Sequence, residues 1–304
     1  MGAKFSLLKK KPAGRTNNTP FVVLVLPFVL VFFLFTIIPI IAAIALSFTD
    51  YNLLQINNFV GFENYTRLLL DDNIFMIAFK NTMILALITG PVGFIVSFII
   101  AWLINELGRM TRTIVTFIVY SPALIGNVFF IWQYIFASDS RGFLNNALMQ
   151  IGIINDPITW LTNTKYNFTI VIIVSIWLSF GTGFLSFVSG LKALDRSYYE
   201  AAAVDGLKNR WQELYYVTFP QMGPQLMFGA VMSISGAFAC GGVSQALTGF
   251  PSPGYSTHTI LLHINDFANN RYEMGYASAI AVVLFVIMVG SQLLINKVLD
   301  KFNA

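Results

Sequence analysis

Six long apolar runs recur along the chain, at about 21–48, 82–104, 113–136, 168–191, 222–246 and 275–297, with short polar stretches between them. A helix crossing the ~30 Å hydrocarbon core rises ~1.5 Å per residue and needs ~20 apolar positions. Each run is long enough, and none carries Asp, Glu, Lys or Arg well inside it. One such charge at mid-membrane would cost ~2.5–3.5 kcal/mol on insertion. The pattern predicts an all-α polytopic membrane protein with six transmembrane helices.

The polar stretches carry helical signals of their own. NFVGFENYTRLL (58–69) predicts a short amphipathic helix with Phe62, Tyr65 and Leu69 on one side. GFLNNALMQIGIINDPITWL (142–161) predicts a helix ending near Gly152. Both are expected to pack over the outer ends of the spans. EAAAVDGLKNRWQELYYVTFP (200–220) predicts a pair of helices. Asp195 suits the free N–H groups of a first turn. Ala201, Ala202 and Ala203 are strong helix formers of minimal bulk, and Gly206 is placed as the left-handed residue that ends the helix. The second helix starts at Asn209 with Gln212 as its capping-box partner. It presents Trp211, Leu214, Tyr215 and Thr218 on one face and stops before Pro220. Two readings are open for this hairpin: a surface for another protein, or an amphipathic pair lying on lipid headgroups. Three alanines anchor poorly in a membrane and Glu200 and Asp205 repel an anionic leaflet, which favours docking.

Composition points to lipid as the solvent. Of 304 residues, 56% are hydrophobic and 11% charged, against ~25% charged in soluble domains. Lys and Arg concentrate in 1–20, 105–112, 192–221 and 297–304, and only Arg67, Lys80, Arg141, Lys165 and Arg271 fall in the alternate loops. The positive-inside rule then puts both termini in the cytoplasm. The first run is too long for a signal-peptide core and no small-residue cleavage site follows it, so it reads as a span. The chain divides into a basic cytoplasmic N-terminus (1–20), the first span with a short outer loop (21–75), a five-span core (76–298) with a cytoplasmic loop at 192–224, and a tail (299–304).

Candidate chemistry is sparse. The single cysteine, Cys240, allows no internal disulfide, and there is no G-x-x-x-x-G-K-[ST] phosphate loop. His258 and His263 both lie in the outer loop 247–274 and cannot hold a metal without carboxylates. The chain is therefore expected to be no enzyme, to bind no cofactor or metal itself, and to meet lipid and not nucleic acid. A solute path would lie near mid-membrane. The polar and aromatic residues placed to line it are Asn127, Trp132, Gln133, Trp177, Ser179, Ser233, Ser235 and Gln245. Amides and aromatic faces suit the hydroxyls and C–H faces of a sugar, although each residue taken alone also fits a structural role. The fifth run is dense in Gly, Ala and Ser, which suits close helix packing; Gly241-Gly242 also offers a point of loosening. Pro91 and Pro122 are kink positions.

E-A-A-x-x-D-G followed by a helix and a proline (Glu200, Ala201, Ala202, Asp205, Gly206 and Pro220) resembles the EAA loop of permease subunits of binding-protein-dependent ABC importers. The likeness is closest to the carbohydrate-uptake branch, the maltose-type and multiple-sugar permeases. It extends from about Val22 to Val298 and includes NFVGFENYTRLL, SPALIGNVFFIWQYIF (121–136), IWLSFGTGFLSFVSGL (176–191) and GYASAIAVVLFVIM (275–288). The resemblance implies the type I ABC importer permease fold, with this chain as half of a pathway for a sugar or oligosaccharide. It implies a second permease in a heterodimer, two copies of a cytoplasmic ATPase that use ATP and Mg, and an extracytoplasmic solute-binding protein, all at a bacterial plasma membrane. The EAA-loop residues would dock the ATPase, and its closure would be passed to the spans through 196–206. The sequence departs from the family pattern in three places. The interval from Gly206 to Pro220 is one residue longer than the commonest form, Leu207 replaces the usual alanine, and the outer loop 49–75 is short.

Two rival readings stand beside this one: the same machine with a non-sugar cargo such as glycerol phosphate, and an ion-coupled secondary carrier. An anionic cargo calls for a cation in the spans, and ion coupling for buried carboxylates or bases. The runs hold neither.

Overall fold

The computed structural model describes residues 19–53, 58–126 and 128–303. The first span joins α1 (Thr19–Phe32) to α2 (Ile38–Leu46) through a π-helical turn. Its exposed side chains are apolar nearly throughout, the surface expected of a helix solvated by lipid tails. A corner follows in which α3 (Glu63–Thr66) runs into a π turn at Arg67–Asp71. The second span, α4 (Asn73–Asn105), begins earlier than the apolar run suggests because Asp72 caps it, accepting from the Phe75 N–H at 2.8 Å. It continues through Pro91 without a break. The sixth span is α16 (Met274–Asn303).

Spans three to five are not the continuous helices that hydropathy suggests. The third is α5 (Arg109–Leu124) and α6 (Phe129–Ile135), bent by 93°. The fourth is α8 (Asn167–Leu178) and α9 (Thr182–Ala193), bent by 40°. The fifth is α13 (Gly223–Phe238) and α14 (Gly241–Thr248), bent by 42°. Gly181 and the Ala239–Cys240 step ahead of Gly241 take non-helical angles, and hydropathy does not register such a break. With each bent pair as one span, six cross the membrane. Between them lie α7 (Phe143–Gln150), then α10 (Arg196–Val204), α11 (Arg210–Glu213) and α12 (Phe219–Gln221) in the loop between the fourth and fifth spans, and α15 (Ile260–Asn265) in the loop between the fifth and sixth. The α7 helix ends as expected, with Gly152 at φ +77° just beyond it.

The outer helix at 58–69 differs from expectation. It turns from Glu63 onward, and its buried residues are Asn64 and Leu68, whereas Phe62 and Leu69 are exposed. The reason is polar: the Asn64 carboxamide donates to the Ser47 and Thr49 carbonyls at 2.9 and 2.8 Å, which fixes the face turned inward.

The core gathers around α4, which packs on α9 and α13. At the cytoplasmic end Phe187 is fully buried, edge-on to Phe94 and Phe98. Gly229 leaves the space that this ring occupies, and Gly183 lets α9 and α13 approach at backbone distance. Lipid tails are as apolar as Phe, so such contacts hold the bundle by close packing more than by transfer from water.

Candidate functional site

The breaks of the fourth and fifth spans face each other. Ser179, Gly181 and Thr182 at one break and Ser233, Gly236 and Cys240 at the other, with Thr89 and Ser175 beside them, line a cleft of about 230 Å³. A break frees backbone groups that a membrane tolerates only where they meet protein or line a cavity. The remaining polarity is hydroxyl: Thr89, Ser175, Ser179, Thr182 and Ser233, with the Cys240 thiol, and no charged side chain. The Thr89 and Ser179 hydroxyls donate to the Leu85 and Ile176 carbonyls at 2.8 and 2.6 Å, so their oxygens remain as acceptors toward the cleft.

Of the residues singled out from sequence, Ser179 and Ser233 line this cleft. Trp132 and Trp177 meet edge to face at 5.3 Å. Gln133 instead donates to the Ala246 carbonyl, tying α6 to α14. Ser235 and Gln245 lie on α13 and α14 outside the cleft lining, and Asn127 lies outside the described residues. Thr89, Ser175, Thr182 and Cys240 went unnoticed, because a small hydroxyl or thiol within an apolar run carries no signal until the helices are assembled.

In the loop between the fourth and fifth spans, α10 is capped by Asp195, which accepts from the Ser197 N–H at 3.0 Å. It closes in a Schellman turn: Leu207 N–H donates to Ala202 O and Gly206 N–H to Ala203 O, with Gly206 at φ +94°. Asn209 caps α11 by accepting from Trp211 N–H. Gln212 reaches back one residue further than expected, accepting from the Lys208 N–H. This second helix does not stop before Pro220; a π turn at Leu214–Thr218 carries it on to Gln221. That turn also splits the expected face. Leu214, Val217 and Thr218 are buried, while Trp211 and Tyr215 are 62% and 65% exposed. Glu200, Ala201, Asp205, Gly206 and Pro220 are exposed and Ala202 half-buried.

The hairpin is fastened to the spans by side chains. Tyr199 and Thr218 share a hydrogen bond at 2.9 Å, joining α10 to the π turn. Arg210 pairs with Glu213 and, at 2.8 Å, with Glu106 at the end of α4. Trp211 packs on Trp102 of α4 at 5.3 Å. The Arg210 and Trp211 contacts join the hairpin to α4, the helix whose Thr89 lines the cleft.

At the opposite end of the bundle the two histidines are buried. His263 Nε2 bonds Asp72 at 2.9 Å, Tyr276 donates to the same oxygen at 2.8 Å, and His258 Nε2 lies 3.2 Å from His263 Nδ1. The Asn81 carboxamide donates to the Tyr255 and His258 carbonyls, and Thr82 accepts from the Ile260 N–H. Together these bonds lock the outer loop onto α4 and α16. Burial opposes charge on Asp72, but His263, the Phe75 N–H and Tyr276 outweigh it and hold the carboxyl well below its usual range. His258 Nδ1 is buried without a partner. Burial, then the charge of His263 and Arg271 against that of Asp266 and Asp72, pushes His258 down to about 4.

This sets a pH window. Below 6.5 the unfolded chain takes up a proton that folded His258 refuses until about 4. Stability is expected to fall through that window by about 3 kcal/mol in all, while Asp72 stays ionised across it. Thermal unfolding of the purified chain at pH 7.5 and 4.5 should show the loss, and His258→Phe should flatten it. Equal slopes in the two proteins would refute the assignment.

Comparison with known proteins follows this geometry. The family model described as "Binding-protein-dependent transport system inner membrane component" matches residues 91–301. The probable ABC transporter permease protein YesP of Bacillus subtilis is 32% identical over 92% of this chain and 90% of its own length. The arabinooligosaccharides transport system permease protein AraP of the same species is 28% identical over 91% and 87%. The lactose transport system permease protein LacF of Rhizobium radiobacter is 28% identical over 87% and 88%. Among solved structures, a chain of a bacterial ABC transporter that imports the acidic polysaccharide alginate superposes with a TM-score of 0.77, at 24% identity, covering 94% of this chain and 97% of that one. A second structure, of the alginate transporter in complex with a pentasaccharide-bound periplasmic protein, gives 0.79. At that identity the likeness establishes the fold, which is the one implied by the EAA loop. The match over most of the chain decides against an ion-coupled carrier, and the chain belongs to the family of binding-protein-dependent transport system inner membrane components.

Proposed function

We propose that this chain conducts a saccharide and forms half of a translocation path with a second, related permease. Of two copies of a cytoplasmic ATPase, which use ATP and Mg, one docks on Glu200, Ala201, Ala202, Asp205, Gly206 and the segment up to Pro220, and the other on the second permease. This chain itself carries out no catalysis. Both termini lie on the cytoplasmic side of a bacterial plasma membrane. Closure of the ATPases pulls on α10, and the Tyr199–Thr218, Arg210–Glu106 and Trp211–Trp102 contacts pass the movement to α4 and the two broken spans.

The observation that carries the saccharide reading is the cleft, where two helix breaks meet and the lining is hydroxyl-rich and uncharged. Hydroxyls that accept while small apolar groups surround them suit a neutral polyol better than an anion. The names of the arabinooligosaccharide and lactose relatives point the same way.

Cys240, the chain's single cysteine, lines the cleft. In the assembled importer, a small polar thiol reagent applied from outside is expected to block uptake of the transported saccharide. Excess saccharide should slow the block, and a Cys240→Ser importer should be insensitive to the reagent. A block that persists in Cys240→Ser, or that saccharide leaves unchanged, would place the path elsewhere.

A further inference from the structure

Five aromatic rings run in unbroken contact from the outer loop to the neighbourhood of the cleft. Tyr166 lies 5.4 Å from Trp160, Trp160 lies 6.3 Å from Phe136, Phe136 lies 5.9 Å from Trp132, and Trp132 lies 5.3 Å from Trp177. Trp177 is followed directly in the chain by Leu178, which lines the cleft. The rings come from three separate parts of the chain: α6 with Phe136 just after it, the outer loop at 160–166, and α8. All five are half-buried, packed on one side against buried clusters and not enclosed by them.

A second observation sits at the inner end. The Trp132 indole N–H is buried and has no hydrogen-bond partner, whereas the Trp160 indole N–H donates to Asn145 at 2.8 Å. Buried donors are satisfied in the great majority of cases, and a buried indole N–H in particular usually finds a partner. An unmet donor next to stacked rings fits a ligand that brings both apolar faces and hydroxyl oxygens.

We propose that Tyr166, Trp160, Phe136, Trp132 and Trp177 form a track for neutral saccharides, leading from the outer surface to the hydroxyl-lined cleft, with the Trp132 N–H reading a sugar hydroxyl. The proposal rests on the saccharide reading above and adds the route of entry. Pyranose and furanose rings present C–H faces that lie against aromatic faces, and rings set in succession hold several sugar units at once. The track therefore favours oligosaccharides over their monosaccharide units.

The test uses the assembled importer in proteoliposomes, with arabinotriose and maltotriose and their monosaccharides as labelled probes. Phe136→Leu and Trp132→Leu remove a ring while keeping an apolar side chain. Trp132→Phe keeps a ring and removes the N–H. Each Leu variant should raise the trisaccharide KM by roughly 3- to 10-fold, the scale of one lost aromatic contact. The monosaccharide KM should rise less than the trisaccharide KM, and Trp132→Phe should fall between wild type and Trp132→Leu. Rates that fall alike for both lengths, or kinetics that stay unchanged while Cys240 modification still blocks uptake, would overturn the track and leave the cleft standing. Absence of uptake for every neutral saccharide in the wild-type importer would overturn the saccharide reading and the track with it.

Discussion

A Gly206→Trp chain is expected to insert and fold but to lose its ATPase, with uptake reduced by about 100-fold. The argument separates two roles for this glycine. Its φ of +94° closes the Schellman turn at the end of α10, and a side chain in a left-handed geometry costs ~1–2 kcal/mol. Nothing lies within 4 Å of where a Cβ would stand, so the chain itself has room for a larger residue. The steric cost falls on whatever docks against the exposed surface around Glu200, Ala201 and Asp205. A bulky residue forced into such an interface costs about 3 kcal/mol, or about 100-fold in affinity. Gly206→Asn tests the backbone role alone, because Asn tolerates positive φ, and it should retain most of the uptake. Co-purification of the ATPase with each variant gives the reading. A Gly206→Trp chain that keeps its ATPase and its uptake would remove 200–206 from the docking surface.

Gly275→Ala is expected to be the most damaging single-methyl change in the chain, lowering stability by at least about 3 kcal/mol. A Cβ at Gly275 would sit inside van der Waals contact of the Thr49 carbonyl and close against the Tyr51 N–H, both backbone groups with no rotamer to yield. Gly275 N–H also donates to Tyr51 O at 2.8 Å, joining the start of α16 to the corner after the first span. Asn64 holds the same corner from the other side through the Ser47 and Thr49 carbonyls. Pushing the corner away would break that set as a unit. Gly290→Ala on the same helix is the control. No atom lies within 4 Å of its would-be Cβ, and removing a glycine from a helix interior stabilises it by about 0.5–1 kcal/mol. Thermal unfolding of the two variants should therefore move in opposite directions. A Gly275→Ala chain as stable as wild type would show that the corner gives way at no cost.

Much of the 195–221 hairpin was legible in the sequence because its signals are local. Asp195 as cap, the alanine run, Gly206 in a positive-φ turn and Asn209 as the next cap depend on a few neighbouring residues and elementary backbone sterics. The errors there came where tertiary contact took over. The π turn at Leu214–Thr218 rotates the second helix, so that Leu214, Val217 and Thr218 go inward and Tyr215 outward. A regular 3.6-residue period does not foresee that rotation.

The spans divide in the same way. Six apolar runs, charges confined to their ends and the EAA pattern specify the class of molecule, because water, lipid and backbone hydrogen bonding act on every residue alike. The sequence by itself thus determined the six-span fold class and where the hairpin between the fourth and fifth spans lies. Only the tertiary structure decided which spans break and that two of the breaks meet in one hydroxyl-lined cleft. Only it brought Asp72, His263 and Tyr276 together across about two hundred residues of chain. Those are pairings between distant segments. A serine, a histidine or a glycine has the same hydropathy wherever it stands, and its role depends on which helix packs against it.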